Sequence, residues 1–388
     1  MGLVRKVVCA MSGGVDSSVA ALLLKRRGYS VIGVFMKNWD SLDENGVCST
    51  EKDCEDAYRV CQTLDIPFHH VSYVKEYWND VFCNLLNEYE KGRTPNPDIL
   101  CNKYIKFNLF HKYAINTLGC DAMATGHYAR TSLEDEEVFR QRRAAPPVTL
   151  FRDRFEIRKP VRLFQGADLA KDQTFFLSQV SQDALRQTLF PLAGLTKEFV
   201  RKMAAEAGFH HVLKKKESMG ICFIGERNFE NFILEYLEAK PGNLFGARIG
   251  GQKDAWFVVD KDVLTGDVFV APTTNHPALF RDTIRTERFH WMAVDPPPEL
   301  ARTQMLECHF RFIHQMPLIP CTVTLNMDGS LWISLSQTVR ALTPGQFAVL
   351  YKSGECLGSG KIIQLGPTEH TLQQGRQRLQ QSEPEAPG

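Results

Sequence analysis

A glycine turn flanked by hydroxyl side chains is the feature that most constrains the fold of this chain. The run SGGVDS at residues 12–17 follows an apolar run at 7–11 that is typical of a buried strand. A helical apolar pattern follows the turn, and Gly28 stands where the C-cap of that helix belongs. Amide groups at a helix N-terminus lack intrahelical acceptors, and glycines let the backbone approach a phosphate closely. Because no lysine follows the glycines, this is not a Walker A loop. We predict a different phosphate-binding turn between a strand and a helix.

The first third of the chain alternates between strand and helix patterns. Strands are predicted at 4–10, 30–36, 68–74 and 121–125, and helices at 17–27, 51–64, from about 75 through 90, and 102–118. This order predicts an α/β fold with a parallel sheet covered on both faces. Ligands of such sheets bind beyond the carboxyl ends of the strands. The glycine turn, Met36 and the pair Gly126-His127 all fall at such ends.

The pattern changes along the rest of the chain. Residues 132–154 are charged and contain two prolines, which predicts an exposed irregular segment. Helices are predicted at 174–187, at 196–208 with Thr196 as the N-cap, and at 228–239. After about residue 255, short β-rich runs separated by turn signals predict a small antiparallel barrel. The final residues are rich in Gln, Glu, Pro and Arg, which predicts disorder.

Composition narrows the class of protein. A chain of 388 residues predicts two or three domains, and a net charge of +1 means that any nucleic-acid-binding surface must be local. No apolar run approaches the roughly 20 residues of a membrane span, and no secretory segment is evident, so an intracellular, reducing compartment is expected. The 11 cysteines form no C-x-x-C pair, which argues against a disulfide framework and a zinc ribbon.

The segment NPDILCN at residues 96–102 is a candidate for chemistry. Prolines at 95 and 97 disfavour helix for the residues before them, which predicts a rigid loop. Asp98 could cap the helix that begins near residue 102, and Cys101 would then lie at a helix N-terminus that stabilises its thiolate. A plain capping aspartate and a buried cysteine would explain the segment as well.

A second candidate thiol is Cys222, which lies between Gly220 and Gly225 and follows three lysines at 214–216. Cationic neighbours lower the pKa of a thiol and attract phosphate backbones, although a solvated lysine face and a core cysteine are the simpler reading. An adenylating turn with two reactive thiols would suffice for sulfur transfer. Adenylation turns a carbonyl oxygen into a leaving group, a persulfide supplies sulfur, and the second thiol releases it by exchange.

Seven segments together make the chain resemble the tRNA-specific 2-thiouridylases, a family of ATP pyrophosphatases that thiolate the wobble uridine of tRNA. They are SGGVDSS at 12–18, GVFMKNW at 33–39, GRTPNPDILCN at 92–102, ATGHYAR at 124–130, KDQTFFLS at 171–178, ESMGICFIGERNF at 217–229 and TPGQFAVLY at 343–351. The residues in these segments most resemble those of the mitochondrial branch of the family, which implies a mitochondrial location. The resemblance implies an ATP pyrophosphatase domain at 1–225, a shortened central tRNA-binding region at 226–275, a C-terminal β-barrel at 276–366 and a disordered tail at 367–388.

The resemblance also implies roles for individual residues. Cys222 matches the persulfide carrier, Cys101 the partner thiol of a transient disulfide, and Asp98 the general acid/base. ATP contacts are implied for Ala10, Met11, Ser12, Gly13, Gly14, Val15, Asp16, Ser17, Met36 and Gly126. Contacts with tRNA are implied for Asn96, Pro97, Asp98, His127, Lys171, Asp172, Gln173, Arg311, Phe312 and Gln346. Phe312 could stack on a base or fill the barrel core.

The implied partners are ATP with Mg²⁺, tRNA, and a sulfur-donor protein or relay, and a monomer that does not bind membranes is expected. No metal site built from protein side chains is predicted, although an iron–sulfur cluster on Cys101, Cys222 and a third ligand stays open. Compared with the family pattern, strands of the central region are expected to be missing after Asn243. Two alternatives are therefore kept: a shortened form that binds ATP or tRNA without turnover, and another ligase of the ATP pyrophosphatase type.

Overall fold

The computed structural model describes residues 5–39, 49–141, 159–215, 229–237 and 255–382. The strands are β1 (Lys6–Met11), β2 (Ser30–Lys37), β3 (Phe68–Ser72), β4 (Ala122–Ala124), β5 (Ala129–Thr131), β6 (Leu163–Gln165), β7 (Thr188–Leu189), β8 (Trp256–Lys261), β9 (Val268–Pro272), β10 (Phe280–Arg288), β11 (His290–Trp291), β12 (Met305–Arg311), β13 (Ile319–Leu325), β14 (Ser330–Arg340), β15 (Phe347–Lys352) and β16 (Glu355–Leu365).

The helices in the same parts of the chain are α1 (Val15–Arg26), α2 (Ser49–Thr63), α3 (Val74–Tyr77), α4 (Cys83–Glu90), α5 (Pro97–Leu100), α6 (Asp135–Arg140), α7 (Thr174–Leu177), α8 (Gln182–Arg186), α9 (Lys197–Glu206), α10 (His210–Leu213), α11 (Phe229–Leu234), α12 (Pro298–Thr303) and α13 (Glu369–Ser382). Wider π-helical turns continue α3 at Trp78–Phe82 and α5 at Cys101–Phe110 and Tyr113–Thr117. A single 3₁₀ turn lies at Pro277–Leu279.

The predicted parallel sheet is confirmed. Its strand order is β3-β2-β1-β4-β7, and the pairings are parallel throughout. Successive residues of β1 enter different cores: Val8 packs with the helices that follow β3, whereas Cys9 packs with α1, α2 and α9. This alternation places helices on both faces, as a fully buried parallel sheet requires. The carboxyl edge of the sheet is therefore the edge left for a ligand.

The predicted C-terminal barrel is confirmed as six antiparallel strands. They follow the order β10-β14-β13-β12-β15-β16, and pairing of β10 with β16 closes the barrel. Strand β6 of the first domain also pairs with β16, so the hairpin β5–β6 joins the two domains through backbone hydrogen bonds. The strands β8 and β9, which sequence grouped with the barrel, form a separate two-stranded sheet.

Two helix predictions need correction. The helix predicted at 174–187 is two helices, because Ser181 interrupts it and its side chain accepts a hydrogen bond from the Ala184 amide as the N-cap of α8. The disorder predicted for 367–388 is wrong for Glu369–Ser382, which form α13. Its Gln, Arg and Leu residues favour helix, and the Thr368 hydroxyl accepts from the Thr371 amide at 3.1 Å.

No helix in the described ranges is both long enough and apolar enough to cross a bilayer.

Polar side chains at the centre of the interface fasten the barrel to the first domain. The Gln179 amide donates to the backbone oxygen of Ser359 at 2.8 Å and accepts from the Lys103 ammonium group at 2.9 Å. Ser178 donates to the Ser359 hydroxyl at 2.9 Å. A buried polar group that loses its hydrogen-bond partner destabilises the folded state. Substitutions of these side chains should therefore lower the free energy of unfolding.

We expect Gln179→Ala to lower the free energy of unfolding by about 2–3 kcal/mol, because it leaves the Ser359 oxygen and the half-buried Lys103 ammonium group without these hydrogen bonds. Urea denaturation would measure the change. The matched control is Gln373→Ala on the exposed face of α13, which should change it by less than about 0.5 kcal/mol. Equal effects of the two substitutions would contradict the assignment of Gln179 to the interface.

Candidate functional site

The predicted phosphate turn joins β1 to α1. Gly14 is the N-cap of α1 in an extended conformation, and no side chain caps the helix, so the amides of the first turn face outward. Hydroxyl groups shape the turn from inside. The Ser17 hydroxyl accepts from the Ser12 amide at 3.1 Å and donates to the Gly14 oxygen at 3.1 Å, and the Ser18 hydroxyl donates to the same oxygen at 2.8 Å. The geometry is that of an anion-binding helix end.

Two glycines are required by close backbone contacts at this turn. Gly13 has φ +69°, and a Cβ there would lie 2.2 Å from the carbonyl oxygen of Asp53. A Cβ on Gly126 would lie 2.8 Å from the carbonyl carbon of Asp16 and 2.8 Å from the nitrogen of Ser17. Gly126 follows β4, so the ends of β1 and β4 touch at the turn.

An ion pair that sequence reasoning missed anchors Asp16. Both carboxylate oxygens of Asp16 accept from the Lys197 ammonium group, at 2.8 and 2.9 Å, and one accepts from the Tyr128 hydroxyl at 2.9 Å. Lys197 is the first residue of α9, which Thr196 caps as predicted. Tyr128 lies in the ATGHYAR run, but nothing in the sequence spacing connects either residue with Asp16.

Lys215 provides a second anchor. Its ammonium group donates to the Gly13 oxygen at 3.0 Å and contacts carboxylates of Asp53 at 2.6 Å and Asp56 at 2.5 Å. Burial alone would lower the pKa of Lys215, but these hydrogen bonds and charges raise it. The central lysine of the 214–216 run therefore holds the phosphate turn and is not part of a solvated face.

The segment 96–102 begins a helix earlier than predicted. Asn96 is the N-cap of α5 and its side chain accepts from the Ile99 amide at 3.3 Å, so Asp98 lies inside the first turn and does not cap it. Pro97 at the first position favours this start. Cys101 consequently lies in the second turn, 2% exposed, and the expected thiolate stabilisation at a helix N-terminus does not apply to it.

Asp98 and the neighbouring Asn102 have unusual environments. Burial raises the pKa of Asp98, and the charge of Lys106 partly opposes this rise. Asn102 donates to the Asp98 backbone oxygen at 3.0 Å, while its own side-chain oxygen is buried without a partner. A buried acceptor without a donor is a position where a ligand N–H gains a hydrogen bond.

His127 lies between this helix and the phosphate turn. Its Nδ1 is 2.8 Å from the Thr125 hydroxyl, and its ring lies 5.8 Å from the ring of Phe107. Burial lowers the pKa of His127 well below its ordinary value, and the charge of Lys106 acts in the same direction. The ring is therefore neutral at pH 7. Half-buried Met36 lies one residue before the end of β2, at the same sheet edge.

The barrel reaches this edge through one loop. The Asn96 amide donates to the Gln346 side-chain oxygen at 3.3 Å, and the Thr94 amide donates to the Pro344 oxygen at 2.8 Å. Of the residues with an implied tRNA contact, Asn96, Pro97, Asp98, His127 and Gln346 thus lie together.

The other implied tRNA contacts lie at the domain interface. Arg311 forms a buried pair with Asp172 at 3.5 Å, and the ring of Phe312 is 1% exposed and stacks on Phe310 in the barrel core. Gln173 accepts from the Tyr128 amide at 3.0 Å. In this conformation RNA cannot contact Asp172, Arg311 or Phe312 directly, because their side chains are buried against other parts of the protein. Lys171 is half-buried nearby.

Cys222 lies outside the described residues, as do its glycine neighbours. Cys101 is a thiol, and no disulfide joins cysteines within the described ranges, so the transient disulfide stays a prediction. Those ranges also contain no group of three or more His, Cys, Asp or Glu side chains suited to a metal ion.

Comparison with known proteins agrees with this geometry. Residues 5–226 match the tRNA methyl transferase HUP domain, and residues 281–362 match the aminomethyltransferase beta-barrel domain. The mitochondrial tRNA-specific 2-thiouridylase 1 of Danio rerio is 70% identical across 96% of this chain and 95% of its own length. The Homo sapiens protein of that name is 65% identical across 97% and 95%. The chain belongs to the tRNA-specific 2-thiouridylase family.

A bacterial 2-thiouridylase also aligns with nearly the whole chain. A tRNA-specific 2-thiouridylase of Geobacillus kaustophilus is 41% identical across 92% of this chain and 94% of its own length. The alignment with the Danio rerio 2-thiouridylase spans 394 positions, more than the 388 residues of this chain, so that relative has residues with no counterpart here. Where in the chain they fall is not tested by this comparison, and the shortened central region at 226–275 stays a prediction.

We expect Gly13→Ala to destabilise this 2-thiouridylase more than Gly28→Ala does. Both glycines have positive φ, which costs an alanine about 1–2 kcal/mol, but only Gly13 would also drive a Cβ into a carbonyl oxygen. The added clash should cost at least about 1–3 kcal/mol more. Urea denaturation of both variants would measure this difference, and equal losses would contradict the close contact between Gly13 and Asp53.

Proposed function

We propose that this protein is a mitochondrial ATP-dependent tRNA 2-thiouridylase, which adenylates O2 of the wobble uridine and replaces it with sulfur from a cysteine persulfide. The observation that carries the proposal is the meeting of three segments at one sheet edge. The phosphate turn touches Gly126, the adjoining His127 lies against the helix that carries Asp98 and Cys101, and Asn96 at the start of that helix contacts the barrel.

ATP fits the turn in this proposal. The triphosphate would lie on the amides at the N-terminus of α1, which no side chain caps. Met36 and Gly126 would border the adenine. Lys197 and Lys215 lie behind the turn and hold its shape, since their ammonium groups are already bound by carboxylates.

Mg²⁺ would arrive with ATP, neutralise charge on the phosphate oxygens and favour departure of pyrophosphate. Asp16 is the acidic residue of the turn, but both of its carboxylate oxygens already accept hydrogen bonds from Lys197. Since the described residues offer no larger acidic or thiol cluster, phosphate oxygens and water would supply most ligands.

The target uridine would be flipped out of the anticodon stack into the space beside Asp98. Asn96, Pro97 and Gln346 lie at the rim of this space and would position the base. Because burial raises the pKa of Asp98, its carboxyl group is suited to exchange a proton with the base near neutral pH. His127 would border the base as a neutral ring.

Sulfur transfer would then use the two thiols. The terminal sulfur of a Cys222 persulfide attacks C2 of the adenylated base and AMP leaves. The Cys101 thiolate next attacks the Cys222 sulfur, so the 2-thiouridine is released and a Cys101–Cys222 disulfide remains. Restoring the persulfide requires reduction and a separate sulfur-donor protein. A monomer suffices, because one chain supplies every group named.

We assign residues 1–225 to catalysis, 226–275 to a shortened tRNA-binding region, and 276–366 to a barrel that orients the anticodon arm. Asp172 and Arg311 serve this function by docking the barrel, Phe312 fills the barrel core, and Lys171 would contact a tRNA phosphate. No observation favours another ATP pyrophosphatase ligase, nor a form that binds ATP or tRNA without turnover.

We expect Cys222→Ser and Cys101→Ser each to reduce 2-thiouridine formation at least about 1,000-fold, because each removes a nucleophile that transfers sulfur. Purified protein would be incubated with ATP, Mg²⁺, a sulfide source and tRNA, and nucleosides quantified by mass spectrometry. ATP affinity should stay unchanged, because neither thiol is among the residues with an implied ATP contact.

The matched control is Cys83→Ser, an exposed cysteine on α4, which should retain full activity. Full activity of the Cys222→Ser variant would contradict the proposed sulfur transfer. Binding of ATP and tRNA by the native chain with formation of neither AMP nor thiouridine would instead support the alternative that binds without turnover.

A further inference from the structure

We propose that Lys106 is a further catalytic residue of this site, whose ammonium group neutralises the α-phosphoryl group of ATP while O2 of the base attacks it. The inference rests on the proposed function and adds a residue that neither the implied ATP contacts nor the implied tRNA contacts include. Four observations support this assignment.

The first observation is its position along the helix. Lys106 lies eight residues after Asp98 and four after Asn102, in the turns that continue α5. It is half-buried at the sheet edge, and its neighbour Phe107 packs against His127 with ring centres 5.8 Å apart. This packing fixes the helix and leaves little freedom in where the Lys106 stem begins.

The second observation is that one charge acts on two separate elements. Lys106 opposes the burial-induced rise in the pKa of Asp98, and it adds to the fall in the pKa of His127. Asp98 lies on the helix, whereas His127 follows β4. An ammonium group that influences both is close to the helix turn and the strand end that border the proposed site of the base.

The third observation connects this space to the phosphate turn. His127 directly follows Gly126, and Gly126 abuts the backbone of Asp16 and Ser17. The lysine that influences His127 is therefore near the base-facing end of a triphosphate lying on the turn. In an ATP pyrophosphatase, the end of the triphosphate that faces the target base carries the α-phosphoryl group. The target base attacks the α-phosphorus and displaces pyrophosphate.

The fourth observation is the contrast with neighbouring lysines. The ammonium groups of Lys197 and Lys215 are bound by carboxylates, and that of Lys103 is bound by Gln179. Within the described residues Lys106 has neither a hydrogen bond nor an ion pair. A half-buried cation of this kind is suited to bind the charge that a ligand brings.

The chemical step balances without a further reagent. A bond forms between O2 of uridine and the α-phosphorus, and the bond from that phosphorus to pyrophosphate breaks, with pyrophosphate taking the electron pair. The N3 proton of the base passes to the Asp98 carboxylate. Negative charge grows on the phosphoryl oxygens and leaving group during this exchange, and Lys106 opposes it.

Lys106 also keeps Asp98 ready to accept that proton. It is the charged group acting on Asp98 among the described residues. Removing it leaves only burial, so the pKa of Asp98 rises further and the carboxylate form is lost at higher pH. The acidic limb of the pH–rate profile should therefore move to higher pH in a variant without the charge.

The experiment compares Lys106→Met, Lys106→Gln and Lys106→Arg with Lys112→Met, a matched control on the exposed face of the same helix. Single-turnover AMP formation is measured at saturating ATP with tRNA, across a pH series. Equilibrium binding of α,β-methylene ATP is measured by calorimetry, as a readout independent of turnover.

We expect Lys106→Met and Lys106→Gln to slow AMP formation at least about 100-fold and to weaken binding of the analogue several-fold. The acidic limb should shift upward, Lys106→Arg should recover part of the rate, and Lys112→Met should match the native chain. Should the methionine variant not fold, the glutamine variant provides the same comparison.

Native rates, analogue affinity and pH profile in either folded neutral variant would overturn the assignment of Lys106 while leaving the proposed function intact. A slower rate with an unshifted profile and native analogue affinity would likewise contradict it, since that pattern indicates packing alone. If the native chain itself forms neither AMP nor thiouridine, the proposed function fails first.

Discussion

The structure depends on a backbone contact between the ends of two parallel strands. The turn after β4 approaches the start of α1 so closely that Gly126 has no room for a Cβ beside the Asp16–Ser17 backbone, and Gly13 likewise has none beside Asp53 of α2. Because the ends touch, a phosphate held by the first turn lies next to whatever the second turn carries. In the proposed function, His127 and the helix packed against it thereby come within reach of ATP, which no feature of either segment alone would ensure.

Ion pairs hold the residues of the phosphate turn in place. Lys197 binds Asp16 from α9, and Lys215 binds the turn together with α2, so both sides of the phosphate site are fixed before a ligand arrives. Preorganised donors of this kind do not need to reorganise as charge develops. The barrel is held in a similar way, by the buried Arg311–Asp172 pair and by pairing of β6 with β16. The catalytic edge and the barrel are therefore one assembly.

The sequence predicts local features, such as the phosphate turn, better than it predicts contacts between residues far apart in the chain. Glycine spacing and an apolar strand were enough to locate the phosphate turn, because that turn depends on neighbours in the chain. The Asp16–Lys197 pair joins residues far apart, and no periodicity connects them. Asp98 was expected to cap the helix, but Asn96 has the extended backbone that a cap requires. The resemblance implied tRNA contacts for Arg311 and Phe312, with a place in the barrel core left open for Phe312. The structure buries both side chains, and only tertiary packing decides between those roles.

The central claim is that the thiols at 101 and 222 act in sequence on a base that ATP has activated. The most direct test is a single turnover of persulfide-loaded protein, quenched with an alkylating reagent, digested without reduction and analysed by mass spectrometry. The account predicts a peptide linked through Cys101 and Cys222 that forms at the rate of 2-thiouridine and only when ATP and tRNA are both present. Thiouridine formed at full rate without that linked peptide would contradict it.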